Sequence, residues 1–242
     1  MSEKLSPIKN KKTIKNIFTF VIVFIIVPLT LFVSWKYFDR NYYVTSLLMI
    51  IYSMIPFFLM FEKRAPQARE LVTIAVMCGI AVASRAAFIW LPNFKPIFAI
   101  IIISGIALGS QSGFLIGALS ALVSNFIFGQ GTWTPWQMFA FGIVGFIAGQ
   151  LYKAKLISKN KIPLSIFGGV LVFIIIGPIL DTASLFMGAS TMNKEFIIST
   201  YIAGIPVNLS QAIATVLTLY FFSNPLFEKL DRIKTKYGMM EE

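Results

Sequence analysis

The sequence predicts an all-α integral membrane protein with eight apolar segments. Hydrophobic residues make up 57% of the 242 residues and charged residues only 13%, whereas soluble domains contain about 25% charged residues. A helix that crosses a ~30 Å hydrocarbon core needs about 20 apolar residues, so the predicted segments nearly fill the chain. No room is left for a soluble catalytic domain.

The segments are bounded by charged residues or by Pro and Gly. They are predicted at 14–35, 43–61, 71–91, 96–108, 113–128, 136–152, 163–187 and 196–222. Only the stretch GSQSG, 109–113, separates the fourth from the fifth, which predicts a tight turn between antiparallel neighbours. The first segment is too long for the apolar region of a signal peptide, and no small-residue cleavage site follows it. We therefore predict that it is a retained helix.

The distribution of Lys and Arg predicts the orientation, because cytoplasmic loops retain these residues. Of the 21 cations, 16 fall on the side that holds both the basic N-terminal residues 1–13 and the C-terminal tail 223–242. The opposite side holds four, namely Lys36, Arg40, Lys95 and Lys194. Both termini are therefore predicted to be cytoplasmic. The net charge of +11 is explained as a topology signal, with attraction to anionic lipid as a side effect, and it predicts no nucleic-acid partner.

Two ionisable residues lie inside the predicted segments, Arg85 in the third and Asp181 in the seventh. Such residues are costly in a membrane and are functional candidates by default. Counting residues from the cytoplasmic end places both in the outer part of the bilayer. They are predicted to form an ion pair or to line an outward-facing polar cavity together, although an ion pair that only fixes helix packing is an alternative. Asn125 and Asn208 are predicted at a similar depth.

The most distinctive stretch is NFIFGQGTWTPWQMF, 125–139, at a predicted outer loop. Trp133 and Trp136 offer flat aromatic faces, and Gln130 and Gln137 offer amide donors and acceptors. This chemistry suits a planar organic ligand held by stacking and hydrogen bonds. The alternative is a belt of aromatic residues at the membrane interface, which also places Trp at this level.

Small residues recur every four positions along the third segment, at Ala75, Gly79, Ala83 and Ala87. Such a stripe lets another helix approach closely. The periodicity is equally compatible with a neighbour in the same chain and with a separate protein. Further glycine pairs in the fourth to sixth segments predict that close helix packing is widespread.

The residues that most enzymes need are missing from this chain. It contains no His, which excludes a Ser-His pair and imidazole as a metal ligand, and it has no phosphate-binding loop of the G-x-x-x-x-G-K-[ST] type. The single Cys78 is predicted to be a small buried apolar residue. We therefore predict no enzyme, no metal site and no cofactor. The functional class that remains is a binding protein whose transport is driven by other subunits. The alternative is a stand-alone secondary transporter or a small channel.

The run 69–222 resembles the substrate-specific S component of an energy-coupling factor (ECF) vitamin transporter. The resemblance is carried by RELVTIAVMCGIAVASRAAFIWLPNFKP and by GFLIGALSALVSNFIFGQGTWTPWQMFAFGIVGFIAG. It implies a six-helix core preceded by two extra N-terminal transmembrane helices at 14–61. It also implies a multi-pass protein of a bacterial plasma membrane.

The resemblance further implies that the chain binds a vitamin on its outer side. Its partners are then a transmembrane coupling protein and two cytoplasmic ATPase subunits, which alone use ATP. The A-x-x-x-A pattern of Ala83 and Ala87, together with Ala75 and Gly79, is expected to pack on the coupling protein. The expected substrate-binding residues are Arg85, Asn93, Phe94, Asn125, Gln130, Trp133, Trp136, Gln137, Asp181 and Asn208.

The resemblance predicts the substrate less precisely than it predicts the fold. The block GQGxWTPWQ is most similar to S components of the cobalamin type, so cobalamin is the expected ligand. Riboflavin, a pyrimidine or thiamin precursor, folate and queuosine remain alternatives, because stacking Trp side chains serve any planar heterocycle.

Overall fold

The computed structural model describes residues 42–63, 67–188 and 193–238, and the chain divides into two units, Met1–Pro56 and Phe57–Glu242. Helix α1 (Tyr42–Lys63) begins in the first unit and ends in the second. The first predicted segment, 14–35, lies outside the described residues.

The described part of the second unit is helical apart from short connections, which confirms the all-α fold class. Its elements are α2 (Ala68–Ala87), α3 (Ile97–Leu108), α4 (Ser110–Phe128), α5 (Thr134–Lys153), α6 (Lys161–Leu171), a π-helical turn (Val172–Ile176), α7 (Gly177–Gly188) and α8 (Lys194–Tyr237). Among the described residues, four helices are long and apolar enough to cross a membrane, namely α2, α4, the continuous stretch Lys161–Gly188 and α8. The eight spans and the cytoplasmic termini stay predictions.

Helix α3 is the centre of the bundle. Its sequence is apolar on every side, and all of its residues from Ile97 to Leu108 are buried. A helix without a polar face is stable only where neighbours surround it completely. At 1.5 Å per residue its 12 residues measure about 18 Å, which is shorter than a ~30 Å hydrocarbon core. The fourth segment was predicted as a brief span, and the structure shows it as the enclosed core helix.

The reversal between α3 and α4 is tighter than the sequence indicates. The stretch 109–113 was predicted as a turn, but Gly109 alone separates the helices and Ser110 already begins α4. Gly109 has φ of 90°, which glycine adopts without steric cost. One residue therefore reverses the chain, and the rest of the stretch joins α4.

Glycines bring α3, α4 and α5 into backbone contact. A Cβ atom built on Gly113 would lie 2.6 Å from the Cα of Gly105 and 2.7 Å from the carbonyl oxygen of Gly145. Gly145 in turn faces the carbonyl of Gly113 too closely to admit a Cβ. This confirms the close helix packing that the sequence predicts.

We expect Gly145→Ala to lower the stability of the purified protein by about 1–3 kcal/mol, because overpacking a well-packed interior forces the backbones apart. Thermal unfolding in detergent measures the effect. Gly79→Ala is the matched control, because no atom lies within 4 Å of a Cβ built on Gly79 and alanine favours the helix. Equal melting temperatures for Gly145→Ala and Gly79→Ala would contradict the close approach of the α4 and α5 backbones.

Helix α8 is much longer than predicted. It continues from Lys194 to Tyr237, so the predicted tail 223–242 is helical almost to its end. Phe227 and Leu230 on this extension are buried in the core. Lys234 Nζ donates to the carbonyl of Ala107 at 2.9 Å, which satisfies an orphan acceptor at the end of α3. These tertiary contacts keep a polar sequence helical beyond its apolar stretch.

Candidate functional site

A polar network lies where the predicted outer ends of α2, α4 and α5 meet. Its centre is Asn125, whose Oδ1 accepts from Arg85 Nη1 at 3.0 Å. Asn125 Nδ2 donates to Gln137 Oε1 at 2.8 Å and to Thr134 Oγ1 at 3.1 Å. Arg85 Nη1 also donates to Ser124 Oγ. We call Arg85, Ser124, Asn125, Gln130, Thr134 and Gln137 the Asn125 network.

The same network holds the loop between α4 and α5. The Thr134 hydroxyl donates to Gln130 Oε1 at 2.9 Å and accepts from the Gly131 amide at 3.2 Å. Gln130 Nε2 donates to the carbonyl of Leu122 at 2.9 Å. Pro135 stands at the start of α5, where its missing amide hydrogen costs nothing. The loop is therefore anchored at both ends by side chains of one cluster.

Arg85 is a buried cation without a counter-charge. It is 5% exposed, and among the described residues no carboxylate forms an ion pair with it. Its guanidinium lies 4.3 Å from the centre of the Phe128 ring, which fixes the plane of the group. Arg85 Nε is buried and has no hydrogen-bond partner there. An unpaired buried charge costs several kcal/mol, which makes Arg85 a candidate for ligand binding.

Lys95 adds a second positive charge beside Arg85. It lies in the connection between α2 and α3, outside the spanning helices, and it is only partly exposed. Burial and the charge of Arg85 lower the pKa of Lys95 to about 8. Within the described part of the chain no hydrogen bond or ion pair joins its ammonium group to another residue. By its sequence position, Lys95 is predicted only as an orientation signal.

Asp181 lies in a separate polar pair. Its Oδ2 accepts from Asn208 Nδ2 at 2.8 Å, which joins α7 to α8. Among the described residues Arg85 and Asp181 form no ion pair, so the predicted ion pair is wrong. The similar depth of the two residues follows from counting along each helix, but depth does not determine which side of the helix faces which neighbour.

Two glycines, Gly177 and Gly204, leave space for the side chains of Asp181 and Asn208. A Cβ on Gly177 would collide with the amide of Asn208 at 2.6 Å, and Gly204 packs directly against the Asp181 carboxylate. The π-helical turn Val172–Ile176 ends immediately before Gly177, and such turns are frequent at functional sites. Nearby, the hydroxyls of Thr182 and Tyr201 share a hydrogen bond of 2.7 Å. Four polar side chains thus line one stretch of the α7–α8 contact.

The end of α7 contacts Thr132 in the α4–α5 connection and Trp136 in the first turn of α5. Trp136 is 8% exposed and its ring lies 6.0 Å from that of Phe186. Thr132 Oγ1 lies 3.4 Å from the sulfur of Met187. A Trp of an interfacial belt is exposed at the membrane surface, but Trp136 is buried. Trp133, by contrast, is 41% exposed. The contact between Trp136 and Phe186 therefore joins the first turn of α5 to the end of α7.

The structure brings together only some of the ten predicted binding residues. Arg85, Asn125, Gln130 and Gln137 share one network, and Asp181 and Asn208 form the other pair. Asn93 has a left-handed backbone with φ of 63°, and the ring of Phe94 lies 5.1 Å from that of Phe88. The residues that the sequence analysis missed are Ser124, Thr134, Lys95, Phe128, Thr182 and Tyr201. Their types are common in any helix end, so no sequence signal distinguishes them.

The small-residue stripe of α2 lies on an exposed face. Ala75, Gly79, Ala83 and Ala87 are all exposed, while Ala81 and Val82 on the other side of the helix are buried. The described residues therefore leave the stripe uncovered.

A family model described as "ECF-type riboflavin transporter, S component" matches residues 66–227. Comparison with curated proteins and with solved structures gives no match. The match confirms the predicted resemblance to an S component. It does not support the cobalamin type, because the matching family is described by riboflavin.

Proposed function

The chain belongs to the family of S components of ECF-type riboflavin transporters, and on that basis we propose that it binds a flavin as the substrate subunit of such an importer. The match covers about two thirds of the chain and includes every residue of the Asn125 network and the Asp181 pair. The single observation that carries the flavin assignment is the family match, which is described by riboflavin.

A flavin has two chemically different parts, and the proposal assigns one of them to each polar cluster. Its planar tricycle has a polar edge rich in carbonyl acceptors, and its ribityl chain carries hydroxyls. Arg85 Nη2 and Gln137 Nε2 donate to no other described residue, and these two atoms are the proposed donors to carbonyl oxygens. The Asp181 pair, with Thr182 and Tyr201, suits hydroxyls, which both donate and accept. Trp133 and Trp136 offer faces for stacking.

The partners we propose are a transmembrane coupling protein and two cytoplasmic ATPase subunits. The exposed stripe Ala75, Gly79, Ala83 and Ala87 is the docking surface for the coupling protein, because small residues allow two backbones to approach closely. ATP is then used only by the partners. The proposed location is a bacterial plasma membrane, in agreement with the apolar helices.

We expect the purified protein in detergent to bind riboflavin saturably and to ignore cobalamin. Quenching of the intrinsic fluorescence of riboflavin measures the affinity, and an excess of cobalamin in the control titration should leave the quenching unchanged. Trp133→Ala is expected to weaken binding about tenfold, because a stacked aromatic pair contributes about 0.5–1.5 kcal/mol beyond area burial. Trp90→Ala is the matched control, since Trp90 is 86% exposed and lies outside the network.

Two outcomes contradict this proposal. Binding of cobalamin without binding of riboflavin would overturn the flavin assignment and return the substrate to the cobalamin type. Riboflavin uptake into proteoliposomes that contain this chain alone, without partners or ATP, would instead identify a stand-alone secondary transporter or channel.

A further inference from the structure

The last part of helix α8, residues 223–237, passes the predicted cytoplasmic ends of several other elements, and we call it the α8 extension. The carboxylate of Asp231 lies 2.6 Å from an ammonium nitrogen in the connection between α5 and α6. About one turn later, the ammonium group of Lys234 donates to a carbonyl in the last turn of α3. After another turn, the ring of Tyr237 lies 5.6 Å from the guanidinium of Arg69 in the first turn of α2. The α8 extension is therefore held against three parts of the bundle.

The α8 extension has a buried face and an exposed face. Phe227 and Leu230 are buried in the core, and Lys234 lies on the same side of the helix. Three basic residues of the α8 extension are exposed, namely Lys229, Arg232 and Lys236. At 3.6 residues per turn, these three positions share one face, about half a turn away from the buried face. This face, which we call the basic face, therefore points away from the bundle.

No carboxylate in the described part of the chain forms an ion pair with the basic face. Asp231 is paired with Lys159 instead, and Lys236 Nζ lies 5.4 Å from the centre of the Tyr237 ring. Like charges three or four positions apart on a helix repel each other. Helix stability therefore does not explain the basic face, whereas an acidic partner would neutralise it.

We propose that the basic face docks an acidic protein surface on the cytoplasmic side of the importer's partner subunits. This inference rests on the proposed function, because that function supplies the partner subunits. The contact of Tyr237 with Arg69 brings the α8 extension beside α2, which carries the proposed docking stripe. The two surfaces thus lie on neighbouring elements of the same chain.

Anionic lipid is the alternative occupant of a basic helix face, and the burial pattern disfavours it. A helix that binds at a membrane surface inserts its apolar face among the lipids, but the apolar face of the α8 extension is already buried in the bundle. The run of exposed apolar residues on α8 also ends at Phe222, about 10 Å before Lys229 along the helix. These observations favour a protein partner.

The test reverses two charges of the basic face in the full-length chain, co-expressed with its coupling protein and ATPase subunits. We expect Lys229→Glu/Lys236→Glu to recover at least about tenfold less of the partner subunits on co-purification, because acidic side chains then face an acidic surface. Lys229→Arg/Lys236→Arg keeps the charge and should recover them as the wild type does. Flavin affinity and melting temperature of the purified chain should be unchanged in both variants, since the two side chains are exposed.

Lys153→Glu/Lys155→Glu is the matched control. It reverses the same number of charges at exposed positions on the same predicted side of the membrane, so the recovery of partner subunits should stay at the wild-type value. Equal recovery by Lys229→Glu/Lys236→Glu and the wild type, or an equal loss in the control, overturns the docking role of the basic face and leaves the flavin assignment intact.

A second measurement distinguishes lipid from protein as the occupant. The melting temperature is compared in nanodiscs of phosphatidylglycerol and of phosphatidylcholine, and the difference should be the same for the wild type and Lys229→Glu/Lys236→Glu. A difference that this variant abolishes, together with unchanged recovery of the partner subunits, would assign the basic face to anionic lipid instead.

The co-purification also separates the docking surface from the flavin assignment. If the wild type binds no flavin but recovers the partner subunits in a way that depends on Lys229 and Lys236, the proposed substrate fails and the docking surface stands. If the wild type recovers no partner subunit, the importer assignment and the docking surface are both overturned.

Discussion

Ala83→Leu is expected to abolish flavin uptake in cells while leaving flavin binding by the purified protein within about twofold. Ala83 is exposed in the middle of the stripe on α2, and it touches neither the Asn125 network nor the Asp181 pair. A leucine there holds a partner helix several ångströms further away, which removes the close backbone contact that small residues permit. Uptake assays in a strain that depends on this transporter measure the effect.

The matched control is Ala203→Leu on α8, where an exposed alanine outside the stripe undergoes the same change. Its uptake should equal that of the wild type. Co-purification of the coupling protein gives an independent readout, because Ala83→Leu should lose it and Ala203→Leu should retain it. Normal uptake by Ala83→Leu would show that α2 does not contact the coupling protein.

Asn125→Ala is expected to weaken flavin binding about 100-fold and to destabilise the protein by about 3 kcal/mol. The substitution removes three hydrogen bonds at once, to Arg85, Thr134 and Gln137. Each buried polar group left unpaired costs about 1–3 kcal/mol, and Arg85 loses one of the two acceptors that orient it. Titration with a flavin and thermal unfolding measure the two effects separately.

Asn224→Ala is the matched control for this variant, because Asn224 is exposed on the extension of α8. Neither its affinity nor its melting temperature should differ from the wild type. If Asn125→Ala lowered the stability but left the affinity unchanged, the Asn125 network would be a packing element and the ligand would bind elsewhere.

Much of the fold follows directly from local patterns. Apolar runs and the charges that bound them predict the helices from 71 onward to within a few residues at most ends. The predicted bounds fail where a tertiary contact extends a helix. Helix α3 has nearly the predicted bounds and is buried by its neighbours along its whole length, whereas α8 continues to Tyr237 because Phe227 and Leu230 pack on the core.

The candidate site was predicted less completely than the fold. Asn125 and Gln137 were recognised because amides beside two Trp residues are unusual in a membrane loop. Ser124 and Thr134 were missed because their residue types are common at helix ends, and only the fold brings them to Arg85 and Asn125. The error at Arg85 and Asp181 has the same origin, since both helices must be placed in three dimensions before a partner can be assigned.

The sequence alone determined that this chain is a helical membrane protein poor in catalytic groups, and two of its sequence blocks carried the resemblance to an S component. Composition and periodicity decide the membrane class, because they set how much of each helix must avoid water. Only the tertiary structure decided which polar groups meet, separated the Asn125 network from the Asp181 pair, and left the stripe of α2 exposed. The physical reason is that hydrogen bonds and charge pairs act over a few ångströms between residues about 40 positions apart in the chain.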